Sequence, residues 1–170
     1  MVKKREKNQN KKIYMKKKVL IVGGAGFIGH NLALYLKKRN FSVLTVDNLK
    51  VNNLEFVQKN IKDKDKKKLY FSFINERLNL LKKKKIPLKK IDGRNKNKLI
   101  KIFDKFKPDV VVHLAAVSHD NRSNKDPETT FDNSFRTLFN SLEASKKFKN
   151  IHFIFYLRAW FTEILKHNQY

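Results

Sequence analysis

The run Gly23-Gly-Ala-Gly26-Phe27-Ile28-Gly29 constrains this chain more than any other stretch. Its G-x-x-G-x-x-G spacing sits between two segments of different period. Before it, Val19–Val22 is a short, continuous apolar run, the pattern of a strand buried on both faces. After it, residues 27–39 place Ile28, Leu32 and Leu36 at four-residue spacing and end in basic residues, which predicts a helix. Residues 42–46 then read as a second buried strand, stopped by Asp47-Asn48. Strand, helix and strand within about 30 residues make one crossover unit.

Glycines in such a strand-to-helix turn serve three physical needs: a tight turn, close approach of backbone to a pyrophosphate, and close packing of helix on strand. The N–H groups that open the helix, at Phe27, Ile28 and Gly29, then hold negative charge together with the helix dipole. Asp47 follows Gly23 by 24 residues, at the end of the second strand. A carboxylate there accepts hydrogen bonds from ribose hydroxyls and repels a 2′-phosphate, which favours NAD over NADP.

The rest of the chain continues the alternation. Residues 1–14 read as a basic, unstructured extension, and residues 50–85 as a Lys-rich insertion with weak helical stretches around 54–61 and 74–85. Residues 86–91 predict a third strand, and 96–106 a helix that ends before Pro108. A fourth strand spans 109–114. A long helix covers 127–147 with Pro127 near its start, and a fifth strand covers 151–156. The implied fold class is α/β, a doubly wound parallel sheet of about five strands within residues 15–156.

Composition narrows the function classes. There is no cysteine, which removes disulfide frameworks, thiol nucleophiles and thiolate metal sites, and fits a cytoplasmic protein. Neither a secretory signal nor a clean membrane span is visible, so a membrane partner is not expected. His30, His113, His119, His152 and His167 lack paired ligand spacing, so no metal site is expected either. The formal charge of +25 invites a nucleic-acid reading. However, 33 Lys stand against 7 Arg, alongside 18 Asn. Phosphate and base readers favour the arginine fork, whereas Lys and Asn follow A/T-rich codons. Codon bias explains the excess more simply than a specific nucleic-acid partner.

Gly23–Gly29, Asp47-Asn48, Asp92 after the third strand and Val112-His-Leu-Ala-Ala116 together resemble the extended short-chain dehydrogenase/reductases. Within these, the resemblance is to the NAD-dependent epimerase/dehydratases of the UDP-glucose 4-epimerase type, over residues 16–156. It implies a Rossmann-type sheet, bound NAD, a nucleotide-sugar substrate and a family-like homodimer. It also places Asp92 and Gly93 at the adenine, and Leu114, Ala115, Ala116 and Ser118 under the cofactor. Asn133 matches the asparagine of the family's N-x-x-G-T stretch. Arg136 stands where the glycine would be and Thr137 is retained. The polar loop from His119 to Pro127 lies at the strand-four edge, where ligands bind, and suits a substrate-side role.

The family's chemistry needs a tyrosine as proton acceptor and a lysine four residues later, after a serine-rich turn at the end of strand five. Here no serine follows Ser145, and the one Tyr-x-x-x-Lys, Tyr14 to Lys18, precedes strand one. No catalytic residue is therefore assigned. Permitted codons for residues 156–165, TAT CTT CGA GCA TGG TTT ACG GAA ATT TTA, offer an explanation. Read from the last T of the Tyr156 codon, they spell S-S-S-M-V-Y-G-N-F, the kind of turn the resemblance leads one to expect. Residues 157–170 are accordingly read as an aberrant tail from a shifted frame. The expected function is the NAD-binding portion of a nucleotide-sugar epimerase/dehydratase, inactive as this chain. A non-catalytic NAD- or partner-binding fragment is the alternative, and a basic nucleic-acid binder the third.

Overall fold

Four consecutive apolar residues covered on both sides need a layer of structure above and below them. The computed structural model describes residues 16–50, 54–116 and 126–156, with the backbone alone for Glu55, and it supplies those layers. In β1 (Lys18–Val22), Val19, Leu20, Ile21 and Val22 are all at most 2% exposed. β2 (Ser42–Asp47) and β4 (Val110–His113) flank β1 in parallel, with Leu20 opposite both Leu44 and Val111. β3 (Leu88–Lys90) and β5 (His152–Phe155) lie outside them, giving the parallel order β3-β2-β1-β4-β5. The strand order reverses between β1 and β4, and in such sheets the ligand crevice lies at the carboxyl ends of those strands.

The period of two along β1 divides the core. Val19 and Ile21 face α1 (Phe27–Lys38) and α3 (Lys64–Lys83), packing with Ala33, Val43, Leu81 and Val112. Leu20 and Val22 face α4 (Lys96–Phe106) and α6 (Thr137–Ser145), packing with Leu99, Phe103, Val111 and Ala144. Two shorter helices, α2 (Leu54–Asn60) and α5 (Pro127–Phe131), complete the helical elements apart from a π-helical turn, Asp132–Arg136, that joins α5 to α6. The described residues thus form the doubly wound, Rossmann-type sheet implied by the sequence.

Three segments differ from the sequence reading. The second helix of the Lys-rich insertion starts at Lys64, ten residues before the expected 74. Asp63 caps it by accepting from the Lys66 N–H, and lysine is a good helix former. The third strand is confined to Leu88–Lys90. Ile86 donates its N–H back to Leu81 to close α3, and Pro87 has no N–H to give a ladder. The long helix expected over 127–147 contains the π-helical turn. β5 closes one side of the sheet with Ile154 44% and Phe155 50% exposed, which leaves an apolar edge. No helix among the described residues is long and apolar enough to cross a membrane.

Candidate cofactor site

The glycine loop is tied to the second strand before any ligand is considered. Gly23 and Gly24 both donate their N–H groups to the Val46 carbonyl, at 2.8 and 3.1 Å. Gly23 has φ +86, and a Cβ there would stand 2.7 Å from the Ala115 nitrogen, so only glycine lets the loop meet the end of β4. A Cβ on Gly29 would overlap the Gly23 carbonyl oxygen, which sets how closely α1 can approach the loop. Gly26 is different: a Cβ there would meet Gly23 O at 3.3 Å and no other described atom within 4 Å. The space above Gly26 is the open side of the turn.

That open side coincides with the start of α1. Gly26 is its N-cap residue, no side chain caps the helix, and its first turn holds no acidic residue. The first intrahelical bond is His30 N–H to the Gly26 carbonyl, so Phe27, Ile28 and Gly29 contribute N–H groups with no helical acceptor. Such a cluster, at the positive end of a helix, suits an anion.

Asp47 lies across the loop from this helix start. Its Oδ2 accepts the Ala25 N–H at 3.0 Å and its Oδ1 accepts the Leu49 N–H at 2.8 Å. Burial raises the pKa of this half-buried carboxyl, against the lowering effect of its backbone donors. Each oxygen already holds one N–H and keeps capacity for another donor. The same carboxylate can therefore pin the glycine loop and accept a ribose hydroxyl. Asn48 turns its Oδ1 back onto the Lys50 N–H at 2.9 Å.

Asp92 and Gly93, after β3, sit in a second cluster. Arg94 grips the Asp92 carboxylate, Nη2 to Oδ2 at 2.7 Å and Nε to Oδ1 at 3.0 Å, and these bonds lower the Asp92 pKa. The Gly93 and Arg94 carbonyls both accept from the Asn140 side-chain amide, at 3.0 and 2.9 Å, which anchors this loop to α6. A Cβ on Gly93 would press to 3.3 Å against Thr137. Arg94 and Asn140 are not legible from motif spacing. Their one sequence signal is position: Arg94 two residues after a loop aspartate, and Asn140 one turn beyond Thr137.

At the end of β4, Leu114 donates its N–H to Val22 at 2.8 Å, and Ala115 packs under Gly23. Ala116 is exposed beside them. Ser118 and the rest of the loop up to residue 125 lie outside the described residues. Asn133 is half-buried on the π-helical turn and donates its side-chain amide to the Thr129 carbonyl at 2.7 Å. Arg136, in the position where the family pattern has glycine, pairs with Asp132 at 2.6 Å. Thr137 is buried and donates to the Asn133 carbonyl at 2.9 Å.

His113, the last residue of β4, is 5% exposed. Its Nε2 lies 3.2 Å from the Ala115 carbonyl and its Nδ1 3.1 Å from Ser141 Oγ. Burial lowers its pKa to about 4, so the ring is neutral near pH 7. The Ser141 hydroxyl donates its one proton to the Thr137 carbonyl at 2.9 Å, and the neutral ring places its single N–H between Ser141 Oγ and the Ala115 carbonyl. Among the described residues no cluster of His, Asp and Glu is arranged to hold a metal ion.

An uncapped helix start over an open glycine, with a half-buried carboxylate keeping spare acceptor capacity at the end of β2, fits a ligand with a diphosphate and a ribose. The fold and this arrangement define a dinucleotide-binding α/β protein of the Rossmann type. A sequence profile of the NAD dependent epimerase/dehydratase family matches residues 19–157, and the chain belongs to that family. Among its relatives, a dTDP-D-glucose 4,6-dehydratase of Dictyostelium discoideum is 34% identical over 81% of this chain and 28% of the relative. A bifunctional UDP-glucose and UDP-xylose 4-epimerase of Pisum sativum is 29% identical over 76% of this chain and 33% of its own length. The UDP-glucose 4-epimerase of Thermus thermophilus, solved in complex with NAD, superposes with a TM-score of 0.57 at 28% identity. It is matched over 78% of this chain and 35% of that structure. The chain thus spans about a third of the length of the relatives it matches.

Proposed function

We propose that this chain is the NAD-binding portion of a nucleotide-sugar epimerase or dehydratase, and that its 170 residues bind NAD without turning a sugar over. One observation carries the reading: the Asp47 carboxylate, at the end of β2, holds the glycine loop by the Ala25 N–H while the uncapped start of α1 opens beside it. NAD, when bound, would supply the hydride acceptor and donor for oxidation and re-reduction of a sugar carbon. The chain's own residues bind and orient it. Phe27, Ile28 and Gly29 hold the diphosphate by their N–H groups, and Asp47 accepts the ribose hydroxyls and disfavours a 2′-phosphate. Gly23, Gly26, Asn48, the Asp92–Gly93 loop, Leu114 to Ala116, Ser118 and Asn133 complete the proposed contact set. A cytoplasmic location and a nucleotide-sugar substrate belong to the same proposal.

No Tyr-x-x-x-Lys follows β5, and Tyr14 precedes β1, so the proton transfer of the family's reaction has no candidate in these residues. We assign residues 157–170 to a shifted reading frame, a reading supported by a family match that stops at residue 157. Sequencing the gene through the Tyr156 codon tests this. A frame running on through a serine-rich turn to a Tyr-x-x-x-Lys is the expected result; its absence from every frame ends the idea. The functional reading is tested by titrating the chain with NAD and NADP. Saturable NAD binding, weaker for NADP, without conversion of UDP-sugars or dTDP-sugars is the expected outcome.

A further inference from the structure

We propose that Arg77, on the Lys-rich inserted helix, is a cofactor-positioning residue whose guanidinium neutralises the diphosphate of the dinucleotide at the start of α1. This rests on the site reading above and adds to it a residue that lies outside every motif quoted for the family. Ile74 and Leu81, 2% and 1% exposed, fix the packed face of α3. Arg77 stands three residues after one and four before the other, so it shares that face. Its guanidinium lies 5.9 Å from the centre of the Phe27 ring. Phe27 is the first residue of α1, is 70% exposed, and meets the His30 ring edge-on at 6.1 Å. Helix α3, packed against α1, therefore places a positive charge over the ring of the residue that opens the uncapped helix.

Among the described residues Arg77 makes no hydrogen bond and no ion pair, so its five N–H donors remain uncommitted. A guanidinium beside the positive end of a helix is mutually unfavourable until an anion separates the two. A diphosphate has the charge and the paired oxygens to engage both, the backbone N–H groups on one side and the planar fork on the other. The cation–π contact with Phe27 uses none of those donors.

The test is equilibrium binding of NAD, ADP, UDP and adenosine to the full chain and to the Arg77→Ala and Arg77→Lys variants, with circular dichroism as the folding control. Arg77→Ala is expected to weaken NAD and ADP by roughly tenfold or more and to leave adenosine unchanged, with Arg77→Lys intermediate. Equal weakening of adenosine would assign Arg77 a purely structural role. A loss on UDP but not ADP would move it to the sugar nucleotide, and unchanged ADP binding would remove it from the site; each result overturns the proposal. If Arg77→Ala fails to fold, Arg77→Lys alone decides, by whether ADP weakens relative to adenosine. Wild-type chain that binds neither NAD nor ADP would sink the site reading itself, a result distinct from a normal wild type with an unaffected variant.

Discussion

Asp47 holds both the loop and, on our reading, the ribose, so its substitution has two separable consequences. Asp47→Ala leaves the Ala25 and Leu49 N–H groups without their carboxylate partner and is expected to cost about 1–3 kcal/mol in urea unfolding. It should also weaken NAD and narrow the preference over NADP. Unchanged NAD affinity would count against the ribose role, whatever the stability shows. His113 carries a pH prediction. Its folded pKa, about 4, lies below the ordinary value of 6.5, so the fold favours the neutral ring. That contribution is fully present above pH 6.5 and is lost as pH falls toward 4, with a span of about 3 kcal/mol. Between pH 6.5 and 5 the wild type should lose stability and a His113→Gln variant should show a flatter profile; equal slopes would contradict it. The groups packed on this ring are the Ser141 hydroxyl, the Ala115 carbonyl and the Phe153 ring, none of which titrates in that range. At this scale the sequence is legible only where spacing carries the chemistry, as at Gly23–Gly29 and Asp47. That Arg94 would close on Asp92, or that Asn140 would span two carbonyls, depends on side-chain directions that no spacing encodes.

Most elements can be read from periodicity because the three central strands are buried on both faces. β1 and β4 carry continuous apolar runs, β2 an apolar run interrupted by the buried Thr45, and Lys96–Phe106 has the expected bounds, with Asn95 accepting from Lys98 N–H at its start and Lys107 in the left-handed region at its end. The inserted helix α3 was harder, since its lysines dilute the apolar period to a few positions. Those few matter: Leu81 is 1% exposed and packs among the core residues of one face. Leu81→Ala should therefore cost about 2–5 kcal/mol in urea unfolding, whereas Leu69→Ala, at a position 53% exposed on the same helix, should stay within about 0.5 kcal/mol. Similar values for the two would mean that the insertion does not contribute to the core. The π-helical turn at Asp132–Arg136 had no signature in the pattern, because one added residue per turn leaves the apolar spacing on either side readable as ordinary helix.

For the whole molecule, the charge of +25 now has a structural setting. Lysines crowd α3 and the ends of helices, while the site we propose draws on backbone N–H groups, a half-buried aspartate and one arginine–aspartate pair. The order β3-β2-β1-β4-β5 puts the glycine loop, Asp47 and Ala115 at the strand-order reversal, where this architecture binds its ligands. Family membership and local geometry thus point to the same edge of the sheet. Calorimetric titration of the 170-residue chain with NAD tests cofactor binding directly. Saturable one-to-one binding, tighter for NAD than for NADP, is the predicted result; a folded chain showing no saturable binding at millimolar NAD would contradict it.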